Sequence, residues 1–362
     1  MTRAGVHFAA DYAAARRRFC DAAAGAGARL ESHVNPATIG PAGEPLATDL
    51  AWLGPGDAQH LLLTISGTHG VEGHCGSGIQ VATLADPGAR ALPRDTALVL
   101  LHAINPYGFA WSRRVNEDNV DLNRNFVDHR QPLPRNDGYV ELADAICPAE
   151  WDAASRAAAG LRLAAYRERH GAAALQKAIT GGQYTHADGV FYGGAGVTWS
   201  RRLALALAAK HLARARRVAV IDYHTGLGPW GHGEKIVLHR HASAALQRAR
   251  NWYGNDVTST ALGTSASSDV VGDLISGLAA AQPTIEFTNL ALEYGVRPVA
   301  ETIDAIRADN WLHQHGALAS TMGREIKAQI RTAFYDDAPT WQALVLEQAI
   351  DAQRRALRGL AG

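Results

Sequence analysis

A buried strand that runs into a tight turn is predicted by His60-Leu-Leu-Leu-Thr-Ile-Ser-Gly-Thr-His-Gly-Val-Glu72. The first seven residues are mostly apolar or β-branched, and such a run bounded by a Gly-Thr-His-Gly turn is typical of a strand inside a sheet. A helix is predicted to follow at Ser77–Leu84. A buried strand, a turn and a helix in succession indicate an α/β fold.

Other apolar runs predict further strands of the same sheet. They are Arg29–His33, Leu46–Leu53, Thr96–Ile104, Val218–Tyr223 and one or two strands within Thr284–Tyr294. The first thirty residues predict a helix that ends near Gly25 and Gly27. Because strands alternate with helical segments, we predict an α/β fold with a central mixed, mostly parallel sheet flanked by helices.

The chain is predicted to form a single domain over residues 1–362, with one insertion at about 127–200. In that region a polar stretch gives way to an Ala-rich helical stretch, Pro148–Ala178, and then to the glycine- and aromatic-rich segment Gln183–Gly194. That segment could line a substrate pocket, although an ordinary loop packed on the sheet explains it equally well. A helical tail is predicted from about residue 316, with a break near Pro339.

Composition excludes several classes of protein. Lys plus Arg total 35 and Asp plus Glu total 35, so no basic surplus indicates nucleic-acid binding. The three cysteines, at positions 20, 75 and 147, form no CxxC pair, and we expect a reducing compartment. Because neither a signal peptide nor a run of about 18 apolar residues is present, a cytoplasmic protein without a membrane span is expected. There is also no GxSxG elbow and no P-loop.

His69 and Glu72 form an HxxE pair on the predicted turn. Their spacing places both side chains on one side of the turn, where an imidazole nitrogen and a carboxylate oxygen could share a metal ion. With 16 histidines in the chain, about one such pair is expected by chance. A surface turn with a capping glutamate is therefore an equally good interpretation of this motif alone.

His224 lies at the end of the predicted strand Val218–Tyr223, within Asp222-Tyr-His224. Ligands of open α/β sheets bind at the carboxyl ends of strands, so His224 could meet His69 there as a third metal ligand. Three protein ligands leave one position free, as catalytic zinc sites require. A core histidine at a strand end is the alternative.

Asp121-Leu-Asn-Arg-Asn125 is more specific, because guanidinium and amide groups offer several donors to a carboxylate. Arg114 precedes it within Trp111-Ser-Arg-Arg-Val. A solvated basic loop with Asx turns is the alternative.

Other histidines form weaker patterns. His232, His239 and His241 could be a second metal cluster but are more typical of a loop and a strand, and His102 is typical of a core position.

Three motifs in this order together resemble the zinc carboxypeptidase superfamily: HxxE, an arginine before DLNRNF, and DxH after a strand. That superfamily includes carboxypeptidase A-like peptidases and the aspartoacylase and succinylglutamate desuccinylase deacylases. The order and rough spacing agree from about residue 60 to residue 315. Segments such as RVNEDNVDLNRNF and EYGVRPVAETIDAIRADNWLHQHG resemble an uncharacterised bacterial branch.

The resemblance implies a zinc carboxypeptidase-like fold and one zinc ion held by His69, Glu72 and His224. Asn123 and Arg124 would bind a terminal carboxylate of the substrate. Arg114 would help there or polarise the scissile carbonyl, with Arg113 as the alternative if the register slips by one. Asp121 would accept a hydrogen bond from a ligand histidine and fix its tautomer.

The general base implied by the resemblance is a glutamate on a late strand. Glu293, followed by Tyr-Gly, is the first choice and Glu286 the second. If both lie on one uninterrupted strand, seven residues apart, their side chains point to opposite faces and only one can reach the zinc. The resemblance also implies an active-site tyrosine, for which Tyr253, Tyr184 and Tyr192 remain open.

The function implied is zinc-dependent hydrolysis of an amide bond adjacent to a free carboxylate, of the carboxypeptidase type. The substrate would be a peptide or, for the alternative deacylase, an N-acyl amino acid. A deacylase would have a pocket closed by the insertion, whereas a peptidase would have an open groove. A catalytically silent zinc-binding module is a third possibility, which retention of Glu293 disfavours. Substrate side chain, oligomeric state and physiological metal stay open.

Overall fold

The computed structural model describes residues 5–238 and 243–362. Within them, eight strands form one sheet: β1 (Arg29–Ile39), β2 (Pro45–Leu53), β3 (His60–Ile65), β4 (Thr96–His102), β5 (Arg217–Trp230), β6 (Gly233–Val237), β7 (Thr258–Ser259) and β8 (Glu286–Gly295). The helices are α1 (Tyr12–Gly25), α2 (Gly73–Ala85), α3 (Pro106–Ala110), α4 (Leu122–Asn125), α5 (Asp137–Ile146), α6 (Ala153–His170), α7 (Ala172–Thr180), α8 (Trp199–His211), α9 (Ser243–Tyr253), α10 (Leu274–Ala281), α11 (Val299–His315), α12 (Thr321–Phe334) and α13 (Pro339–Ala361).

The sheet is mixed, with a parallel centre, and confirms the predicted fold class. The strand order is β1-β2-β4-β3-β5-β8-β6-β7. Strands β4, β3, β5 and β8 run parallel to one another, whereas β1, β2 and β6 pair antiparallel to a neighbour. Because β3, β5 and β8 are adjacent and parallel, their carboxyl ends lie along the same edge of the sheet.

Both faces of the central sheet are covered by helices. Leu61 and Leu62, successive residues of β3, belong to different apolar cores because neighbouring side chains on a strand point to opposite faces. The core around Leu62 includes residues of α1, α2, α9 and α13, and the core around Leu61 includes residues of α8 and α10. The near-continuous apolar runs in the sequence follow from burial on both faces.

Several predicted elements differ from the observed ones at their ends. Strand β5 continues seven residues past Tyr223 to Trp230, with an irregularity in its pairing to β8 between Thr225 and Trp230. The predicted Ala-rich helical stretch is two helices, α6 and α7, separated at Gly171, whose positive φ of 88° favours glycine. Of the three histidines weighed as a second metal cluster, His239 and His241 lie outside the described residues.

The predicted insertion contains α5, α6 and α7, and the predicted tail contains α12 and α13. Both regions pack against the rest of the chain. A third apolar core joins Tyr139, Ile179 and Phe191 of the insertion to Ile306 and Phe334 of the later helices. In the described part of the chain, no helix is long and apolar enough to cross a membrane.

His102 is a fully buried histidine of β4. Its Nε2 lies 2.9 Å from Ser77 Oγ, and its ring stacks on Phe19 with centroids 4.4 Å apart. Burial lowers the pKa of His102 from 6.5 to about 4 because the charged imidazolium loses its hydration. Between pH 4 and 6.5, His102 is therefore protonated in the unfolded chain and neutral in the folded protein.

We expect His102 to make the fold acid-sensitive. Its contribution is present above pH 6.5 and is lost as the pH falls toward 4, because the folded-state pKa is below the unfolded-state value. The loss should be on the order of 3 kcal/mol of unfolding free energy. Urea denaturation of wild type and His102→Gln across this pH range measures it, and the difference between the two should shrink as the pH falls.

The matched control is His170→Gln, since His170 is an exposed histidine at the end of α6. It is measured over the same pH range as a substitution of the same type at an exposed position. A difference between wild type and His102→Gln that stays constant with pH would contradict the assigned pKa of His102.

Candidate metal centre

Three strand ends bring the candidate residues together. His69 follows β3 by four residues, Glu72 ends a short 3-10 turn at Gly70–Glu72, and His224 lies on β5. On β8, Glu293 is the register partner of His224. The side chains of all four line one cavity of about 790 Å³.

Glu72 lies between the two histidines. Its Oε1 is 2.8 Å from His69 Nδ1 and its Oε2 is 2.9 Å from His224 Nδ1. One ligand atom from each of the three residues lies within 4.8 Å of the others, so the group could hold a metal ion. All three side chains are buried, which restricts their rotamers and keeps these atoms convergent.

The Nε2 atom of each histidine faces a second carboxylate. His224 Nε2 lies 2.8 Å from Asp222 Oδ2, and His69 Nε2 lies 3.2 Å from Asp121 Oδ1. Such carboxylates accept the Nε2 hydrogen and leave the Nδ1 lone pair for a metal. Thr68 Oγ1 donates to both oxygens of Asp222, at 2.9 and 3.0 Å, and so holds this carboxylate in place.

The contact between Asp222 and His224 was absent from the sequence analysis, which named only Asp121 in this role. Its signal was present in the sequence. On a strand, residues two apart point to the same face, so Asp222 and His224 of Asp-Tyr-His must be neighbours. The structure shows that this spacing places the carboxylate at the Nε2 atom.

The pKa values reflect this crowding of charged groups. Burial raises the pKa of Glu72, but the charges and hydrogen bonds of His69 and His224 outweigh it and the net pKa is lowered. For His224, burial lowers the pKa, but Asp222 and then Glu72 hold it well above 6.5. The Glu72 carboxylate is thus ionised at neutral pH, as a metal ligand must be.

The charges around the two imidazoles suit a divalent cation. The groups are four buried carboxylates and two guanidiniums, Glu72, Asp121, Asp222, Glu293, Arg114 and Arg124. The carboxylates outnumber the guanidiniums, and a divalent ion bound to neutral imidazoles would offset that excess of acidic groups. Nitrogen and oxygen ligands in a His-Glu-His set also match the donors of zinc sites. The residues present therefore fit a metal of this type.

The two glutamates of β8 lie in different surroundings. Glu293 is buried, lines the cavity, and accepts a hydrogen bond at Oε1 from Leu227 N at 3.1 Å. Glu286 is exposed at the opposite end of the strand and pairs with Arg217 at 3.2 Å and Arg248 at 3.3 Å. Burial and then the charge of Glu72 raise the pKa of Glu293 to about 8.

The two adjacent arginines, Arg113 and Arg114, also lie in different surroundings. Arg114 lines the cavity, donates from Nε to Asp121 Oδ2 at 3.0 Å, and places Nη2 2.8 Å from His69 Nε2. Arg113 is buried elsewhere, where it donates to Asp309 at 3.1 Å and to Asn119 at 3.0 Å. Of the two, Arg114 is the one next to the metal centre.

Asn123 and Arg124 both line the cavity. Asn123 Oδ1 accepts from Leu274 N at 3.0 Å. Arg124 donates from Nη1 to Asn123 O at 2.9 Å and from Nη2 to Thr180 O at 2.6 Å, whereas its Nε is buried without a partner.

The Gly-rich part of the insertion reaches the site. Phe191 lines the cavity with its ring 5.1 Å from the guanidinium carbon of Arg114 and 5.8 Å from that of Arg124. Its φ of 55° is rare for a bulky residue. The next residue, Tyr192, accepts a hydrogen bond at its carbonyl from Asp121 N at 2.8 Å. Of the two interpretations of this segment, a pocket wall and a packed loop, the structure supports the first for Phe191.

The candidate tyrosines do not line the cavity in the described chain. Tyr253 is fully buried in the core around Leu62, with no partner for its hydroxyl. Tyr184 donates its hydroxyl to Arg124 O at 2.6 Å, behind the site. His74, two residues after Glu72, contacts Phe109 and Ala9 instead of the metal centre.

We expect His224→Ala to lose the bound metal, because a ligand and the partner of Glu72 disappear together. Asp222→Asn should keep all three ligands but weaken metal binding ten- to hundredfold, since the His224 tautomer is no longer fixed. Metal content of the purified proteins and competition with a chelator measure both effects.

The matched control is His74→Asn, a buried histidine outside the ligand group, which should bind metal like wild type. Circular dichroism spectra establish that each variant is folded. Full metal occupancy in folded His224→Ala would remove His224 from the ligand set.

Comparisons with known proteins give a family and a set of distant structural likenesses. No curated protein matches the chain. The carboxypeptidase A of Helicoverpa armigera shares 12% identity over 89% of this chain and 73% of its own, with a TM-score of 0.40. Murein-tripeptide amidase MpaA of Escherichia coli O157 shares 14% over 82% and 91%, with a TM-score of 0.37. An aspartoacylase family protein of Mesorhizobium loti shares 14% over 81% and 68%, with a TM-score of 0.38.

The carboxypeptidase and aspartoacylase names are those of the superfamily that the motifs resemble. At these TM-scores the likenesses carry nothing for the roles of individual residues, which depend on the geometry described above. The match to a family is much more extensive, because it covers residues 8–348. The chain belongs to the family described as "Protein of unknown function (DUF2817)".

Proposed function

We propose that this chain is a zinc-dependent hydrolase of the carboxypeptidase type, which cleaves an amide bond next to a free carboxylate. One observation carries the proposal. A single cavity is lined by the metal-binding group, by a buried glutamate and by the side chains suited to a carboxylate: His69, Glu72, His224, Glu293, Arg114, Asn123 and Arg124. Metal, base and anion-binding groups on one cavity are the parts that metal-assisted amide hydrolysis needs.

His69, Glu72 and His224 would hold the ion. When bound, zinc would polarise a carbonyl group and lower the pKa of water beside it. Three protein ligands leave room for this chemistry, unlike the four of a structural site. With the ion bound, Asp121 and Asp222 would accept the Nε2 hydrogens of the two imidazoles and so fix the tautomer that offers Nδ1.

Glu293 is suited to move the proton. Leu227 N holds its Oε1, so Oε2 is the oxygen that can take a proton from water as the water oxygen attacks the carbonyl carbon. The same oxygen can then give that proton to the leaving nitrogen as the C–N bond breaks. A pKa of about 8 is close to the range in which a carboxyl group can do both.

The arginines have separate tasks. Arg114, beside the metal-binding group, would stabilise the negative charge that develops on the carbonyl oxygen. Asn123 and Arg124 would hold the substrate carboxylate with the Asn123 NH2 group and the Arg124 guanidinium. The substrate would then lie with its scissile carbonyl between these two anion-binding points.

We expect Glu293→Gln to keep its metal and to lose turnover by at least a hundredfold, because the amide cannot accept the proton. The measurement is hydrolysis of a panel of C-terminally free peptides and N-acyl amino acids, together with metal content. Glu286→Gln is the matched control, since it changes the same residue type on the same strand outside the cavity. Equal activity of Glu293→Gln and wild type would remove Glu293 as the base.

We expect Arg124→Gln to lower kcat/KM for substrates with a free carboxylate about ten- to hundredfold. This factor corresponds to the binding free energy lost with one charge-assisted hydrogen bond. The same substrates with an amidated C-terminus provide the control, because they lack the charge that Arg124 would bind. Wild type should prefer the free acid, and the variant should lose that preference. An unchanged preference would place the carboxylate elsewhere.

A further inference from the structure

An apolar wall extends from the metal centre between the insertion and the helices that follow β8. It consists of Leu163 on α6, Leu175 and Ile179 on α7, Ile303 and Ile306 on α11, and Phe334 at the end of α12, all of which line the cavity. We call these six residues the apolar wall. Their side chains come from two regions more than a hundred residues apart, so the wall exists only in the folded protein.

The apolar wall is formed before any ligand arrives. Ile179, Ile306 and Phe334 are buried members of one core, and Leu163, Leu175 and Ile303 are half-buried residues packed against it. Val71, between the ligands His69 and Glu72, belongs to the same core. A preformed, largely apolar surface next to a few convergent polar groups is typical of a small-molecule pocket.

The apolar wall begins beside His224. Thr225 Oγ1 donates to Phe334 O at 2.6 Å, and Thr302 Oγ1 donates to Gly226 O at 3.2 Å, so α11 and α12 are fixed to the strand just after this ligand. The carboxylate-binding Asn123 is fixed to a different element, α10. A substrate with its carboxylate at Asn123 and its carbonyl at the metal centre would send its acyl group toward the apolar wall.

Arg307 is one of several polar residues that line the cavity around the apolar wall, and its donors are committed. Arg307 donates to Ile146 O at 2.7 Å, to Ala145 O at 2.8 Å and to Asp304 Oδ1 at 2.7 Å. The six side chains of the apolar wall offer no hydrogen-bonding group, so a peptide backbone lying against them would lose water at its N–H and C=O groups without gaining partners from the wall, which is costly. A hydrocarbon chain has no such groups and gains from burial.

Resting on the proposed function, we propose that the substrate is an N-acyl amino acid with a medium or long alkyl acyl group, which lies on the apolar wall. The cavity of about 790 Å³ is larger than an N-acetyl amino acid would fill. On the carboxylate side, Ile236, Leu238 and Ala291 line the cavity and suit an aliphatic amino-acid side chain. N-acyl leucines are therefore suitable probes.

The first experiment measures kcat/KM for N-acyl leucines with acetyl, butanoyl, octanoyl and dodecanoyl groups. We expect a rise of about threefold to fourfold per added methylene until the apolar wall is covered. Leu175→Asn should lower the ratio of kcat/KM for the dodecanoyl compound to that for the acetyl compound at least tenfold. Leu161→Asn is the matched control on α6, because Leu161 is 74% exposed and lies outside the cavity lining.

The second experiment separates acyl binding from turnover. Calorimetric titration of Glu293→Gln with N-dodecanoyl and N-acetyl leucine should show tighter binding and a more negative heat-capacity change for the long chain. Tighter binding of the long chain with no hydrolysis by wild type would support the apolar wall and overturn the proposed function. Hydrolysis of peptides with no dependence on acyl length would overturn the substrate assignment and leave the proposed function standing.

Discussion

The site depends on the burial of one carboxylate, Glu72, between two imidazoles. Its oxygens lie 2.8 and 2.9 Å from the Nδ1 atoms of His69 and His224, and Thr225 N donates to it at 3.1 Å. Without such partners, a buried carboxylate would cost several kcal/mol of desolvation. The register of β3 and β5 is therefore constrained by charge as well as by packing, because a shift of one residue would turn His224 to the other face of the sheet.

Features of the site that follow from local periodicity could be predicted from the sequence. Parallel strands have their carboxyl ends at one edge, so the turn after β3 and the end of β5 had to place His69 near His224. Glu286 and Glu293 are seven residues apart on one continuous strand, and an odd separation sends them to opposite faces. The two-residue period shows only that one of the two can face the metal, whereas the preference for Glu293 came from the glycine after it and from the family resemblance.

Contacts between loops could not be predicted in this way. Arg124 donates to Thr180 O, 56 residues away, and Asp121 N donates to Tyr192 O. Neither contact has a sequence period, because each depends on how the insertion folds back over the sheet. The positive φ of Phe191 is equally invisible in the sequence, since it belongs to an unfavourable conformation held by surrounding contacts. The insertion is consequently part of the site and fixes both of its arginines.

The position of Arg114 links metal binding to substrate binding. Its Nη2 can only donate, so the 2.8 Å contact with His69 Nε2 requires that nitrogen to be an acceptor and places the ring proton on Nδ1, facing Glu72. A metal at Nδ1 forces the proton onto Nε2, where Asp121 accepts it. Two donors would then face each other, so the Nη2 end of Arg114 would turn away while its Nε stays on Asp121. Because Arg114 lines the cavity, the proposed mechanism would use this released donor at the carbonyl oxygen of the substrate.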